Sequence, residues 1–203
     1  MSQTITGLFD RYEDAKLAVT ELESAGVPHQ NISIVANDKH DEHAKAGQKA
    51  GAAGDDAGKG AGIGAAVGGV GGLLAGIGLL AIPGLGPVVA AGWLVSTAVG
   101  ALGGAAIGAA AGGLVGALTH AGVPEQDAHV YAEGVRRGGT LVSAKVEDAH
   151  VATAKSILGG NQSVDIKGRR AAYQGEGWSS FDETAAPYTP EQRAAERARY
   201  SRV

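Results

Sequence analysis

An uncharged stretch of 65 residues, from Gly60 to Pro124, constrains this chain more than any other feature of its sequence. Small residues recur there at every fourth position, and these are the candidate helix-packing residues: Gly60, Gly64, Gly68, Gly72, Gly76, Gly92, Ser96, Gly100, Gly104, Gly108, Gly112 and Gly116. A spacing of four places them along one ridge of an α-helix, where missing side chains let two helix backbones approach closely. With a Pro- and Gly-rich turn at residues 82–87, the pattern predicts a glycine-zipper helical hairpin over residues 60–119.

Helices so rich in glycine are stable only where close packing against another backbone offsets their low helix propensity. Each glycine inside an exposed helix costs about 1 kcal/mol relative to alanine, and residues 60–81 contain nine. Three environments offer that packing: a membrane, an oligomer in solution, or the interior of the protein itself. Helices over residues 60–81 and 88–119 would be about 33 Å and about 48 Å long, and each exceeds a hydrocarbon core of about 30 Å. The sequence leaves the three environments open.

The residues before this stretch predict a strand, a helix and a second strand. Residues 4–9 and 31–36 are rich in β-branched and aromatic types, and helical spacing of apolar residues lies between them. Asp10 and Glu13 have the spacing of a capping box, and Gly26 is a plausible helix stop.

The residues after the stretch repeat this alternation. Pro124 begins a short helix that ends at Gly138, followed by a strand at 140–146, a helix at 148–160 and a strand at 163–167. The two flanks together give the βαββαβ order of a ferredoxin-like α+β fold, whose single four-stranded sheet would take strands from both.

The predicted organisation has five parts. Residues 1–36 are the first half of the ferredoxin-like domain, and residues 37–59, charged and rich in Ala and Gly, are a flexible linker. The hairpin (60–119) precedes the second half of the domain with its leading helix (120–167). Residues 168–203 are a polar, disordered tail with a short terminal helix, and we expect their removal to leave the stability of the domain unchanged.

No pattern in the sequence assembles a site for chemistry, so we expect neither an enzyme nor a bound cofactor. The segment 54–60 lacks the length and the Ser or Thr of a phosphate-binding loop, and the glycines of 76–81 follow no predicted strand. A cluster of Asp38, His40, Asp41 and His43 lies in the linker without supporting residues, so no metal site is predicted. The formal net charge of -4 gives no electrostatic reason to expect nucleic-acid binding.

The chain resembles the bacterial general stress protein family with a heat-induced, YflT-like domain. The resemblance rests on the opening GLFDRYEDAKLAVTELESAGVPHQNISIVAND, the turn AIPGLGPVVAAG, the segment GVPEQDAHVYAEGVRRGGTLVSAKVED and the tail GEGWSSFDETAAPYTPEQRAAERARY. It covers most of residues 4–167 together with the tail. The family implies an association with stress and supplies no catalytic residues or cofactor.

These observations favour a non-catalytic, stress-associated protein that self-associates and engages the cytoplasmic membrane through its glycine-zipper hairpin. Homo-oligomers and membrane lipid are the expected partners, at the inner face of the cytoplasmic membrane or in the cytoplasm, since the absence of cysteine fits a reducing compartment. The alternative is a soluble oligomeric module that binds or senses a ligand through its ferredoxin-like half.

Overall fold

The computed structural model describes residues 2–37, 78–82, 84–94, 113–160 and 162–200. The strands in this part of the chain are β1 (Ser2–Phe9), β2 (Ile32–Asn37), β3 (Gly78–Ile82), β4 (Gly86–Gly92) and β5 (Thr140–Glu147). Its α-helices are α1 (Tyr12–Ser24), α2 (Gly113–His120), α3 (Glu125–Arg136), α4 (Val151–Leu158), α5 (Ile166–Gly175) and α6 (Pro190–Tyr200). Single 3₁₀ turns at His29–Asn31 and Asp148–His150 lead into β2 and α4.

All five strands join one antiparallel sheet in the order β1-β5-β2-β4-β3. Strand β5 lies between β1 and β2 and pairs with both, so the chain on either side of the glycine-rich stretch contributes to one sheet. The mixed α/β class predicted from the sequence is confirmed. The sheet differs from the predicted ferredoxin-like sheet because it gains β3 and β4 next to β2 and lacks the predicted last strand next to β1.

Helices cover both faces of the sheet and enclose two apolar cores. Alternation along β1 sends Leu8 to the core with α2 and α3, and Phe9 to the core with α1 and α4. Helix α3 approaches β1 closely at Gly134, where an added Cβ would lie 2.4 Å from Leu8 Cδ2. A glycine at this position therefore sets the separation of helix and sheet.

The sequence Ala-Gly-Val-Pro occurs twice and ends a helix in the same way each time. Gly26 after α1 and Gly122 after α2 have φ values of 88° and 92°, a left-handed conformation that favours glycine. The amide of the following valine reaches back to a leucine carbonyl in both cases: Val27 N donates to Leu22 O at 3.0 Å, and Val123 N donates to Leu118 O at 3.0 Å. The predicted stop at Gly26 is confirmed. Asp10 makes no recorded helix cap, since the N-cap of α1 is Arg11 without a side-chain bond.

A β-hairpin, rather than a helical turn, occupies the middle of the predicted glycine zipper. Strands β3 and β4 pair from Gly78↔Ala90 to Ile82↔Gly86, and β4 extends the sheet beyond β2. Leu85, Val88 and Leu94 are buried in the core that α2 and α3 share with the sheet. The helical prediction is wrong for this segment, because its backbone pairs with the edge of β2 and its buried side chains join the core.

The predicted packing positions are only partly described. Gly92 ends β4 with a φ of 92°, where an added Cβ would lie 2.1 Å from Ile32 O, and Gly116 lies in α2. Gly92 is therefore required by strand packing, not by a helix zipper. The other positions lie outside the described residues: Gly60, Gly64, Gly68, Gly72, Gly76, Ser96, Gly100, Gly104, Gly108 and Gly112. So does nearly all of the predicted linker 37–59, of which Asn37 ends β2.

The predicted last strand, residues 163–167, is the start of a helix. Val164 N donates a hydrogen bond to Leu8 O at 2.7 Å, at the edge of β1. Asp165 is then the N-cap of α5, because its carboxylate accepts from Lys167 N at 3.1 Å and from Gly168 N at 3.2 Å. Such a cap satisfies amides at a helix start and ends the extended segment.

The predicted disorder of residues 168–203 is also wrong over its described part, up to residue 200. Tyr173 is completely buried, and Phe181 belongs to the core under α3. The predicted terminal helix is present as α6, and Thr189 with Gln192 forms its capping box: Thr189 N donates to Gln192 Oε1 at 2.8 Å and Gln192 N to Thr189 Oγ1 at 3.3 Å. We call residues 166–200, which contain α5 and α6, the C-terminal segment.

Candidate functional site: the C-terminal clamp

The last turn of α3 carries three charged residues that are buried together. Glu133 is completely buried, and its carboxylate accepts hydrogen bonds from Arg136 Nη2 at 2.8 Å and Arg137 Nε at 2.7 Å. Spacings of three and four residues put both guanidinium groups within reach of one carboxylate at the end of the helix. The cationic groups also lie where the partial negative charge of the helix C-terminus favours them.

The C-terminal segment supplies the remaining partners of these charges. Arg137 Nη1 donates to Glu176 at 2.8 Å and to Glu196 at 2.9 Å, and Arg199 bridges the same two carboxylates. We call these six residues the C-terminal clamp: Glu133, Arg136, Arg137, Glu176, Glu196 and Arg199. Three carboxylates and three guanidinium groups balance one another, so the clamp joins α3 to the end of α5 and to α6 without net charge.

Arg137 is the centre of the clamp. Burial lowers its pKa, but hydrogen bonds to Glu176, Glu133 and Glu196 outweigh burial and hold the pKa above its ordinary value. The guanidinium group is therefore charged at every working pH. Taking such charges out of water is costly, so removing one partner of a buried set costs about 3–5 kcal/mol. The clamp consequently penalises any state in which the C-terminal segment has left α3.

Aromatic rings of the C-terminal segment cover the guanidinium groups. The Arg137 Cζ atom lies 4.0 Å from the centre of the Tyr173 ring, and Arg136 Cζ lies 5.3 Å from the Tyr188 ring and 5.7 Å from the Phe181 ring. Cations over ring faces gain about 0.5–2 kcal/mol, with the larger values at desolvated sites. The rings also exclude water from the ion pairs, which strengthens them.

A second attachment ties the start and the end of the C-terminal segment to the loop after β1. Arg169 donates two hydrogen bonds to the carboxylate of Asp10, at 2.9 Å and 2.7 Å, and the Tyr200 ring lies 3.6 Å from Arg169 Cζ. The paired geometry is the strong form of an arginine–carboxylate contact. Asp10, predicted to cap α1, therefore holds the C-terminal segment instead.

A third attachment lies at the end of the sheet where β2 finishes. Arg193 of α6 donates to Asn37 Oδ1, and Asn37 Nδ2 donates to Leu85 O of the β3–β4 turn at 3.1 Å. The backbone of the C-terminal segment crosses this turn, because a Cβ added to Gly84 would lie 2.9 Å from Asp182 O. One asparagine thus links α6, β2 and the hairpin.

Two open grooves flank the clamped helices. One, of about 390 Å³, runs along the outer edge of β1 between Tyr131 and the end of α4, with Thr6 and Gly7 at its base. The other, of about 370 Å³, lies between α3 and α5 and is lined mainly by polar groups, among them His129, Arg170 and Trp178. Within the described part of the chain, neither groove holds a nucleophilic side chain hydrogen-bonded to a base.

The motifs that were weighed as possible chemical sites lie mostly outside the described residues. No group of three or more potential metal-ligating side chains occurs within the described ranges. The weighed cluster of Asp38, His40, Asp41 and His43 lies outside them. The described helices include none that is long and apolar enough to span a membrane. The clamp was not predicted from the sequence. The signal that could have indicated it is the spacing of Glu133, Arg136 and Arg137, together with the acidic residues and arginines of the tail.

Comparison with protein families supports the predicted resemblance. Residues 4–80 match the family described as heat induced stress protein YflT domain. The match starts in β1 and extends through β2 into β3, so the chain is similar to this stress-protein family over that range. Comparisons with curated proteins and with solved structures gave no match.

Proposed function

We propose that this protein is a non-catalytic, stress-associated assembly protein, in which the α/β unit carries two glycine-rich segments that mediate self-association. The segments are residues 60–77 and 95–112, which hold ten of the predicted packing positions and no charged residue. The proposal depends mainly on one observation: the β3–β4 hairpin lies between the two segments in the chain and is anchored in the sheet. The end of the first segment and the start of the second therefore both adjoin the open end of this hairpin.

The composition of these segments supports association between copies. A segment with no charge offers no electrostatic repulsion to a second copy, although the whole chain carries a net charge of -4. Glycine at every fourth position lowers the helix propensity of an isolated segment, and close contact with another backbone offsets that cost. Association between copies of this chain brings an uncharged segment together with another and provides close backbone contact, and it needs no other molecule.

A membrane hairpin with its turn at residues 82–87 fits the molecule less well. Leu85 and Val88, which such a turn would carry to or across the bilayer, are buried in the core of the folded unit. Engagement of membrane lipid would have to use residues 60–77 or 95–112 alone, each about 27 Å long as a helix and so slightly shorter than the hydrocarbon core. We therefore place self-association first and retain lipid binding as an outcome of the test.

Leucine substitutions along the packing ridge test this proposal. Sedimentation velocity of the full chain over a range of concentrations should reveal assemblies larger than a monomer. Gly68→Leu and Gly72→Leu should weaken association because a large side chain enters the seam, whereas Gly62→Leu, off the ridge, should leave it unchanged. A monomer at every concentration, or equal effects of the three variants, would contradict the proposal. Flotation of the protein with anionic lipid vesicles, lost in the same two variants, would point to lipid instead of a second copy.

A further inference from the structure

We propose that β1 is a pairing edge, at which two copies of this chain join their sheets through antiparallel β1 strands. This surface is built from described residues and is separate from the glycine-rich segments of the proposed function. Strand β1 pairs with β5 on one side, and on its other side no strand of the described residues lies beside it. We call that second side the outer edge of β1.

The contacts of two carbonyl groups show which backbone groups of β1 face the outer edge. Thr6 O accepts a hydrogen bond from the Tyr131 hydroxyl at 3.0 Å, and Leu8 O accepts one from Val164 N at 2.7 Å. Neither donor belongs to β5, and the two carbonyls are two residues apart, as the alternation of an antiparallel strand requires. The even-numbered residues of β1 therefore direct their amides and carbonyls outward.

Thr4 lies at the centre of the open part of this edge. The hydroxyl oxygens of Thr6 and Ser143 are 2.8 Å apart across the β1–β5 pair, as in the close pairs whose backbone groups face away from each other. The same alternation turns the amide and carbonyl of Thr4 and Ser2 outward. Ser2 and Gln3 are exposed, the next three residues are half-buried, and the last three are buried.

A groove continues the outer edge towards the end of β1. It has a volume of about 390 Å³, with Thr6 and Gly7 at its base and Tyr131 and the end of α4 at its sides. Val164, which bonds the edge of β1, also lines it. An extended chain that pairs with Thr4 can therefore follow the edge as far as Thr6.

The composition of the edge favours a second copy of the same strand. Strand β1 contains no charged residue and no proline, which are features with which natural edge strands resist pairing. In an antiparallel pair about a two-fold axis at Thr4, each Thr4 amide donates to the Thr4 carbonyl of the other copy, and Ser2 lies opposite Thr6. The pair brings together short polar side chains and no like charges. The two-fold axis closes the assembly at two copies.

Amide hydrogen exchange of the full chain, resolved by residue with NMR at several protein concentrations, tests the pairing directly. The amides of Ile5 and Gly7 face β5 in a single copy, whereas the Thr4 amide gains a partner only in the pair. We expect Thr4 to exchange at least about tenfold more slowly at high concentration than at low, with Ile5 and Gly7 protected throughout. A Thr4 amide that is unprotected at every concentration, or protected in a chain that sediments as a monomer, would contradict the pairing edge.

Variants at Thr4 separate loss of pairing from loss of folding. Thr4→Pro removes the outward amide at a position where an edge strand tolerates proline, and Thr4→Val is its control because it keeps the amide. Sedimentation velocity should show the dimer lost in the first and kept in the second. Thr4→Lys sets two like charges opposite each other in the pair, and Gln3→Lys is its control because that side chain lies on the other face of the strand. Thermal melts identify any variant that fails to fold, and the other pair of variants then decides.

The glycine variants keep this inference apart from the proposed function. A dimer that survives Gly68→Leu and Gly72→Leu but is lost with Thr4→Pro or Thr4→Lys supports the pairing edge. Association that is lost in the glycine variants and unaffected at Thr4 overturns the pairing edge and leaves the proposed function standing. The reverse pattern overturns the proposed function and leaves the pairing edge standing. A monomer at every concentration contradicts both.

Discussion

The β3–β4 hairpin and the C-terminal segment meet at the same end of the sheet, but different forces hold them there. The hairpin is attached by a backbone ladder to β2 and by buried Leu85, Val88 and Leu94. The C-terminal segment is attached mainly by arginines that meet carboxylates, aromatic rings and the Asn37 amide. The first attachment depends on shape and apolar area, and the second depends on keeping every charge paired.

The two kinds of attachment predict different effects of mutation on stability. Removing shape complementarity from the hairpin should destabilise the folded unit as a whole, because its side chains belong to the central core. Removing a charge from the clamp also costs stability, because partners are left unpaired in a buried place, and the C-terminal segment that supplies those partners should loosen first. The two kinds of damage can be separated by variants placed on one side or the other.

The largest effect is expected at Glu133. Glu133→Ala leaves Arg136 and Arg137 without their shared counter-charge in a buried site, which should cost about 3–5 kcal/mol of unfolding free energy. Urea titration followed by circular dichroism measures this, with Glu21→Ala, an exposed glutamate of α1, as control. A loss below about 0.5 kcal/mol, equal to that of the control, would mean that the clamp contributes nothing measurable.

A comparable but smaller effect is expected at Gly92, on the hairpin side of the comparison. Gly92→Ala places a Cβ against Ile32 O and Ser33 Cα in addition to the left-handed strain, and should cost about 3 kcal/mol. Gly122 has the same φ of 92° with no atom within 4 Å of an added Cβ. Gly122→Ala therefore isolates the strain, at about 1–2 kcal/mol. Equal losses in the two variants would show that the close approach to β2 is not needed.

Alkaline pH should destabilise the fold through two buried tyrosines, one in α3 and one in the C-terminal segment. Burial raises the pKa of Tyr131 in α3 and of Tyr173 in the C-terminal segment above the ordinary value of 10.0. Above pH 10 the unfolded chain loses protons that the folded protein keeps, so stability falls by about 1.4 kcal/mol per pH unit for each group. Stability is unaffected by these groups below pH 10. Absorbance at 295 nm should show their ionisation only together with unfolding, and ionisation of all five tyrosines near pH 10 with the fold intact would contradict this.

The smallest effect is expected from Gly175→Ala at the end of α5. An added Cβ meets no atom within 4 Å there, so alanine should raise stability by up to about 0.5 kcal/mol through helix propensity. A thermal melt should show a slightly higher midpoint. A lower midpoint would contradict the open space that surrounds Gly175 in the structure.

Local signals in the sequence predicted the elements whose residues follow one period. Helical spacing and a glycine stop at Gly26 predicted α1, and the β-branched residues 140–146 predicted β5, which is Thr140–Glu147. Asp165 carried a helix-cap signal that competed with the β-branched residues around it, and the cap prevailed. The hairpin could not be predicted from local pattern because its small apolar residues suit a helix or a strand, and only the exposed edge of β2 decides between them.

The candidate site was harder to predict because its parts are distant in the chain. Arg137 bonds Glu176 and Glu196, and Arg169 bonds Asp10 across more than 150 residues. The low content of apolar residues predicts that the tail does not fold alone. It did not indicate that arginines and tyrosines would attach the tail to a buried acidic partner in α3.

Hydrogen exchange of the unmodified full chain tests the central claim most directly, namely that the C-terminal segment is a docked part of the fold. The amides of α6 (Pro190–Tyr200) and β4 (Gly86–Gly92) are compared in one experiment at neutral pH. The account predicts protection in both, with α6 opening more easily than β4 because ion pairs rather than core side chains hold it. Exchange of α6 at the rate of an unfolded chain, with β4 protected, would contradict the clamp.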